Sequence, residues 1–243
     1  MPSYDLEKIK FATDSPTFQR AVDLYERGKV GQFVVEPYGY SALVLGSRPY
    51  GVRVSTRRYD EGDCTCYLGQ NDTLCKHMVA LAIYAAVDGK PLTEKDKQPV
   101  GEVVCSGRLG TLDKKGLGTI NTEITLGMRY IKPYQGPSRI WFAYQSSLDE
   151  GCNRLAVVVS ELPVSEQTAS LLVDLLLRLD KKLNTGGIDD SNGTVGGFME
   201  QVVAMLLEYA KLDPASLRAF KTLQNRSTSF GWEEPLVNLI TKK

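Results

Sequence analysis

Four residues that can bind a metal ion cluster in a short stretch of this chain. They are Cys64, Cys66, Cys75 and His77, which include three of the five cysteines and the only histidine in 243 residues. The pattern is Cys-x-Cys, then eight residues, then Cys-x-His. In an extended segment the side chains of residues i and i+2 share one face, so each pair can present two ligands together. Three thiolates and one imidazole are a common tetrahedral set for zinc, and four protein ligands indicate a structural site.

Three other interpretations of this cluster are open. Chance clustering of buried free cysteines is the plainest, but these cysteines stand beside Asp, Thr, Lys, Gln and Asn rather than among apolar residues. A disulfide would close a strained ring between cysteines two positions apart, and nothing in the sequence indicates export. A catalytic zinc would leave one coordination position open to water, and no second histidine is present to serve it. We therefore expect one structural zinc ion per chain.

Three short strands are predicted before the cluster. Segments 31–36, 41–45 and 50–58 are separated by Gly- and Pro-containing turns, which predicts an antiparallel meander. Apolar and polar side chains alternate along the third segment, which predicts Val52 and Val54 on one face of the strand and its arginines on the other. The chain then turns into the first metal-binding cysteine, so the meander is expected to carry a zinc-bound hairpin.

Two helices are predicted to flank the strands. Residues 75–87 are apolar almost all round, which predicts a buried helix. Cys75 would lie in its first turn, where the helix dipole favours a thiolate. Ser15 is expected to cap an earlier helix that ends near Gly28, whereas residues 1–14 are expected to be irregular.

The motif and its setting resemble a known family, the SWIM zinc finger. The matching residues are Cys64-Thr65-Cys66 and Cys75-Lys76-His77, followed by the apolar run Met78-Val79-Ala80-Leu81. The resemblance covers roughly residues 20 to 90. It implies binding to DNA or to proteins, because such fingers occur in chromatin-type ATPases, transposases and recombination factors. None of those partner domains is recognisable in this chain.

The second half of the chain has a helical period. A helix is predicted over 120–131, and a long one carries a stripe that starts at Trp141 and ends at Leu162. Further stripes run from Leu171 to Leu183 and from Phe198 to Tyr209, followed by shorter helices. Several successive helices with short connections predict a helical bundle or a stack of helical hairpins.

These elements predict an α+β fold followed by an all-α region. We expect a SWIM-type zinc-finger module at residues 1–90, a linker at 91–101 and a helical domain at 102–243. The linker is proposed because the stretch is rich in Lys, Asp, Glu, Pro and Gly.

The composition excludes a strong electrostatic affinity of the whole chain for nucleic acid. Lys and Arg number 29 and Asp and Glu number 29, so the formal net charge is zero. No apolar run is long enough to span a membrane, and the first residues do not resemble a signal peptide. Free thiols suit a reducing compartment, so we expect a cytoplasmic protein.

A local basic patch is the remaining argument for nucleic acid. Arginines can contact phosphates and tyrosines can stack on bases. The alternative is an ordinary solvated sheet face, offset by the acids that follow at residues 60–63. The candidate residues are Arg48, Arg53, Arg57 and Arg58, with Tyr38, Tyr40, Tyr50 and Tyr59 near them.

The sequence gives little evidence for a group of catalytic residues. If the metal engages the only histidine, a Cys or Ser nucleophile has no histidine base, and Cys152 is expected to be a core residue. The stretch 188–193 suggests a calcium loop but has the wrong register, so a polar turn that caps the next helix is expected. Asp189, Asp190 and Glu200 are the carboxylates that could serve an enzyme.

The sequence favours a non-enzymatic zinc-finger protein that contacts nucleic acid, protein partners or both. The alternative is a protein–protein adaptor that uses the apolar surface of the helical half. An enzyme with carboxylates in that half is a third hypothesis. The sequence identifies no small-molecule substrate.

Overall fold

The computed structural model describes residues 1–137 and 141–241, without the side chains of residues 141–143. Two compact units make up the chain, Met1–Val100 and Gly101–Lys243. The first unit combines a sheet with helices and the second is helical, so the predicted fold class is confirmed. The boundary between the units falls inside the segment predicted as a linker, and the domain assignment stays a prediction.

The N-terminal unit contains a four-stranded antiparallel sheet with the strand order β1-β2-β3-β4. Its strands are β1 (Val30–Glu36), β2 (Gly39–Leu45), β3 (Pro49–Ser55) and β4 (Gly62–Cys64). The predicted meander is therefore confirmed. One face of the sheet is apolar and buried, and β4 ends at the first metal-binding cysteine.

The third strand is shorter than predicted. Backbone hydrogen bonds from Ser55 to the carbonyl of Glu61 and from Glu61 to the carbonyl of Arg58 close a turn directly after β3. Arg57 and Arg58 therefore lie in this turn, and the prediction that Arg57 continues the strand face of Arg53 was wrong. The alternation that suggested a longer strand cannot distinguish a strand from an extended turn.

Helices accompany the sheet, and one of them packs directly on its buried face. They are α1 (Leu6–Ala12), α2 (Ser15–Glu26), α3 (Lys76–Val87) and α4 (Glu94–Lys97). Helix α3 packs against α2, β2 and β3, and its residues 77–83 are all buried. The prediction that α3 is a buried helix is confirmed. Because its first turn carries metal ligands, this packing also fixes where the ligands stand.

Two predictions near the N-terminus were wrong. Residues 1–14 are not irregular, because Asp5 caps α1 through the backbone N–H of Lys8 at 2.7 Å and Ile9 is fully buried. Asp14, not Ser15, caps α2, since its carboxylate accepts from the N–H of Thr17 at 2.9 Å. The Ser15 hydroxyl instead donates to the carbonyl of Val100 at 2.6 Å.

The C-terminal unit consists of helices around a continuous apolar core. They are α5 (Lys114–Met128), α6 (Trp141–Ser160), α7 (Glu166–Thr185), α8 (Thr194–Leu212), α9 (Leu217–Phe220) and α10 (Glu234–Thr241). The predicted leucine stripes lie in this core, although the side chain of Trp141 is outside the described residues. Within the described ranges, no helix has both the length and the apolar character needed to cross a membrane.

Candidate metal centre

Three structural elements bring the four metal-binding residues together. Cys64 is the last residue of β4, and Cys66 follows it at the start of a knuckle that includes a short 3-10 turn, Gly69–Asn71. Cys75 is the N-cap of α3, and His77 lies in the first turn of that helix. The hairpin end and the helix start therefore supply two ligands each, as the spacing predicted.

The ligand atoms form a compact cluster. One sulfur or nitrogen atom from each of the four residues lies within 4.8 Å of all the others, and all four residues are buried. The Nδ1 atom of His77 is 3.8 Å from the Sγ atoms of both Cys64 and Cys75. In a zinc tetrahedron with Zn–S of about 2.3 Å and Zn–N of about 2.0 Å, sulfur and nitrogen ligands stand roughly 3.6 Å apart. The cluster therefore fits one zinc ion.

The electrostatics of the thiols also favour a bound cation. Hydrogen bonding between Cys64 and Cys75 lowers the pKa of Cys75 and raises the pKa of Cys64. Two thiols at this distance cannot both ionise easily without a compensating charge. A divalent cation supplies that charge and stabilises each of the three cysteine ligands as a thiolate.

Packing fixes the orientation of the His77 ring. The Tyr50 ring lies against it with a centroid separation of 4.4 Å. A Cβ atom on Gly46 would stand 2.8 Å from Nε2 of His77 and 3.0 Å from the Tyr50 ring, so a larger residue at this position would displace one of the two rings. Nδ1 faces the thiols, whereas Nε2 is buried and has no hydrogen-bond partner among the described residues. These contacts select Nδ1 as the metal-binding nitrogen.

Gly69 allows the knuckle to close on the first cysteine. A Cβ atom at this position would lie 2.4 Å from the Cβ atom and 2.4 Å from the carbonyl oxygen of Cys64. The backbone N–H of Gly69 donates to the Sγ atom of Cys66 at 3.4 Å. Neither Gly46 nor Gly69 was identified from the sequence as part of the site. A glycine near the metal ligands in sequence does not show which atoms of the folded chain lie close to it.

The family comparison agrees with this geometry. The family model described as SWIM zinc finger matches residues 56–86, which include all four ligands. Residues 56–86 form a SWIM zinc finger. The resemblance and the single Cys3His zinc site predicted from the sequence are confirmed. Comparison with curated proteins and with solved structures gave no significant match. SWIM fingers are typically non-catalytic, and the match does not extend to the helical unit.

The four candidate arginines near the SWIM finger have different surroundings. Arg53 forms an ion pair with Glu36 at 3.1 Å, and Arg58 pairs with Asp60 at 2.6 Å. The guanidinium carbon of Arg48 lies 5.4 Å from the centroid of the Tyr50 ring. Arg57 is exposed, and no carboxylate pairs with it among the residues that the structure describes. The four do not form one continuous free patch.

Two of the four neighbouring tyrosines cannot stack on bases. Tyr40 and Tyr59 are buried in the core of the N-terminal unit, with exposures of 4% and 3%. Tyr38 is exposed, whereas Tyr50 is half-buried against the metal-binding histidine. Because alternate residues of a strand face opposite sides, closeness in sequence did not place these rings on one surface.

Two of the three candidate carboxylates in the helical unit have structural contacts. Asp190 accepts hydrogen bonds from the backbone N–H groups of Val195 at 2.8 Å and Gly196 at 2.9 Å, in the first turn of α8. Asp189 accepts from the N–H of Ser191 at 3.1 Å, and Glu200 is exposed on α8. This turn caps a helix, as the sequence predicted for residues 188–193.

Replacing Asp190 should reveal this capping role. We expect Asp190→Ala to lower the free energy of unfolding of the helical unit by about 1 kcal/mol, as the loss of a helix cap typically does. Urea denaturation of the full chain, followed by circular dichroism, measures the change. Glu200→Ala removes an exposed carboxylate and should leave stability close to that of the wild type. Equal stability of both variants would contradict the capping role.

Proposed function

We propose that this chain is a non-enzymatic binding protein, and that its SWIM unit uses a structural zinc ion to display a surface that contacts nucleic acid. The observation that carries the structural role of zinc is the complete ligand set. Three buried thiols and one buried imidazole fill a tetrahedron, so no position stays open for a substrate or a catalytic water.

Basic and aromatic groups on the N-terminal unit support nucleic acid as the partner. Arg57 is exposed without an ion-pair partner among the described residues, and Arg48 lies over an aromatic ring rather than against a carboxylate. Tyr38 extends into solvent at the turn between β1 and β2. Cations that contact phosphates release counterions, and exposed rings can stack on bases, so a local patch suffices although the net charge is zero.

The ion pairs rank the four arginines by their expected contribution. To contact a phosphate, Arg53 and Arg58 must first give up the carboxylate with which each is paired. Breaking that ion pair offsets part of the binding free energy that the phosphate contact would contribute. Such exposed pairs contribute only about 0–1 kcal/mol, which leaves both arginines able to join a contact. Arg48 and Arg57 need no such exchange and are the stronger candidates.

Titration with labelled single- and double-stranded oligonucleotides tests this function. We expect binding at low salt, with an affinity that falls as salt rises, because the contacts are to phosphates. Arg57→Ala should flatten the slope of log affinity against log salt by about 0.7–0.9, and Arg53→Ala should flatten it less. Neither residue is a metal ligand, so the zinc content should not change.

The absence of any measurable binding at low salt would end the nucleic-acid proposal. It would favour the adaptor alternative, for which the helical unit offers one specific observation. Phe230 is 86% exposed, and its backbone adopts the left-handed region with φ 62°. A bulky residue rarely adopts this conformation without support from its surroundings, and an exposed ring is typical of contact sites on partner proteins.

A further inference from the structure

A cavity lies beside the zinc site, on the side of His77 and Cys75. Its volume is about 340 Å³, and its lining comes from α2, the turn after β2, β3, the knuckle and the start of α3. Cys66, Cys75 and His77 contribute to the wall on the side of the metal site, and Cys64 does not. The residues that matter for the chemistry of the cavity are Arg20, Ser47, Tyr50, Tyr67 and Lys76.

The charged groups of this cavity are cationic. Arg20 from α2 and Lys76 from α3 line it, and the lining contains no carboxylate. Arg48 stands at the neighbouring Tyr50 ring, 5.4 Å from its centroid. No ion pair involves these three cations in the described parts of the chain; Arg20 donates only to the Thr17 hydroxyl, at 3.3 Å. A zinc ion with three thiolates has a net charge of about −1, which the three cations outweigh.

Hydroxyl donors line the cavity beside the cations. Ser47 and Tyr50, whose hydroxyls share a 2.8 Å hydrogen bond, add donor capacity. The His77 ring also borders the cavity, but its Nε2 atom is buried and has no hydrogen-bond partner among the described residues. Because this atom has almost no accessible surface, a ligand in the cavity does not reach it. Oxygen acceptors with negative charge match the two cations and the hydroxyls.

An aromatic ring stands at the exposed side of the cavity. Tyr67 lines the cavity and is 80% exposed. Its backbone belongs to the knuckle that starts at the metal ligand Cys66, so the exposed ring is held on an ordered segment. A ring presented in this way can stack on a base of any sequence. Bases are free to stack on a side chain when the strand is single.

We propose that this cavity binds a phosphate group of a single-stranded nucleic acid, with Arg20 and Lys76 contacting the phosphate and Tyr67 stacking on the adjoining base. The proposal rests on the nucleic-acid function given above and moves its centre from Arg57 and the other arginines around β3 to the side of the zinc site. The two cations of the cavity come from α2 and from the start of α3.

The test is the affinity of full-length, zinc-loaded protein for an oligothymidylate of about ten nucleotides, a length within the site sizes of single-strand binders. Arg20→Ala/Lys76→Ala should weaken binding at least tenfold at low salt and flatten the salt slope by about 1.4, the value for two contacts on a single strand. The matched control, Arg27→Ala/Lys90→Ala, removes two exposed cations that do not line the cavity. It should lose much less affinity than Arg20→Ala/Lys76→Ala, because neither cation lines the cavity and neither would contact the phosphate directly.

Tyr67→Ala separates stacking from charge. It should weaken binding about tenfold without changing the salt slope, because it removes no charge. Zinc content is measured for every variant, since Lys76 adjoins the ligand Cys75. If the double variant loses zinc, Arg20→Glu alone repeats the test away from the ligands and should weaken binding at least as much as Arg20→Ala.

The outcomes separate this proposal from the function on which it rests. If the wild type binds no oligonucleotide, the nucleic-acid function fails. If the wild type binds and Arg20→Ala/Lys76→Ala binds as tightly as the Arg27→Ala/Lys90→Ala control, the function stands and the cavity is not the site. Displacement of the oligonucleotide by an equal concentration of thymidine monophosphate would overturn the strand proposal in favour of a free nucleotide.

Discussion

Cys75→Ser should release the zinc ion and unfold the N-terminal unit while the helical unit stays folded. Zinc typically contributes about 10–16 kcal/mol to the folding of small modules, as much as or more than the entire stability of most domains, about 5–15 kcal/mol. Cys75 joins the start of α3 to the end of β4, so its loss separates the main helix from the sheet hairpin. The helical unit has its own apolar core, so we expect it to stay folded without the metal.

Two measurements check this result. Elemental analysis should give one zinc per chain for the wild type and none for Cys75→Ser, with the same loss for Cys64→Ser, Cys66→Ser and His77→Ala. Amide hydrogen exchange should lose protection in residues 1–100 and keep it in the helices of the second unit. The matched control is Cys105→Ser, because Cys105 is a free cysteine outside the metal cluster. It should keep both its zinc and its protection.

Two outcomes would contradict these expectations. Full zinc content in Cys75→Ser would show that the ligand assignment is wrong. Simultaneous unfolding of both units on chelation would instead show that their folding is coupled, and that the boundary near residue 100 does not separate independent domains.

Gly69→Ala should weaken zinc binding almost as strongly as the loss of a ligand, although Gly69 contributes no side chain. The new Cβ atom would stand 2.4 Å from both the Cβ atom and the carbonyl oxygen of Cys64. Neither atom belongs to the far end of a flexible side chain, so the knuckle itself must move. The move also breaks the 3.4 Å hydrogen bond from the Gly69 N–H to the Sγ atom of Cys66. Loss of contacts that orient metal ligands typically lowers metal affinity about 10–100-fold, and we expect at least this effect.

Competition with a chromophoric chelator measures the change in affinity. Gly51→Ala is the matched control, because it adds the same methyl group to the neighbouring strand, where only the Thr65 Cγ2 atom lies within reach at 3.7 Å. That distance is an ordinary van der Waals contact, so Gly51→Ala should bind zinc as the wild type does. Wild-type affinity in Gly69→Ala would show that the knuckle tolerates a side chain, and that the close approach of Gly69 to Cys64 is not required.

The sequence by itself determined the metal site and the elements that carry it. The four ligands lie within fourteen consecutive residues, from Cys64 to His77, so their chemistry and spacing are local properties. The buried helix α3 and the meander were also predictable, because a continuous apolar run and a two-residue alternation both follow from the side chains themselves. The leucine stripes of the second unit have the same origin.

Only the tertiary structure decided which charged groups are free and where they meet. The ion pair between Arg53 and Glu36 joins two strands that are not neighbours in the sheet. Arg20 and Lys76 line the same cavity only because α2 packs on α3. Helix α1 has only seven residues, and Ile9 is its one buried residue. A helix this short with one buried position does not produce a periodic apolar pattern in the sequence. Contacts between residues distant in the chain leave no trace in local spacing, whereas metal ligands and core stripes do. This is why the zinc site was predictable from the sequence and the surface around it was not.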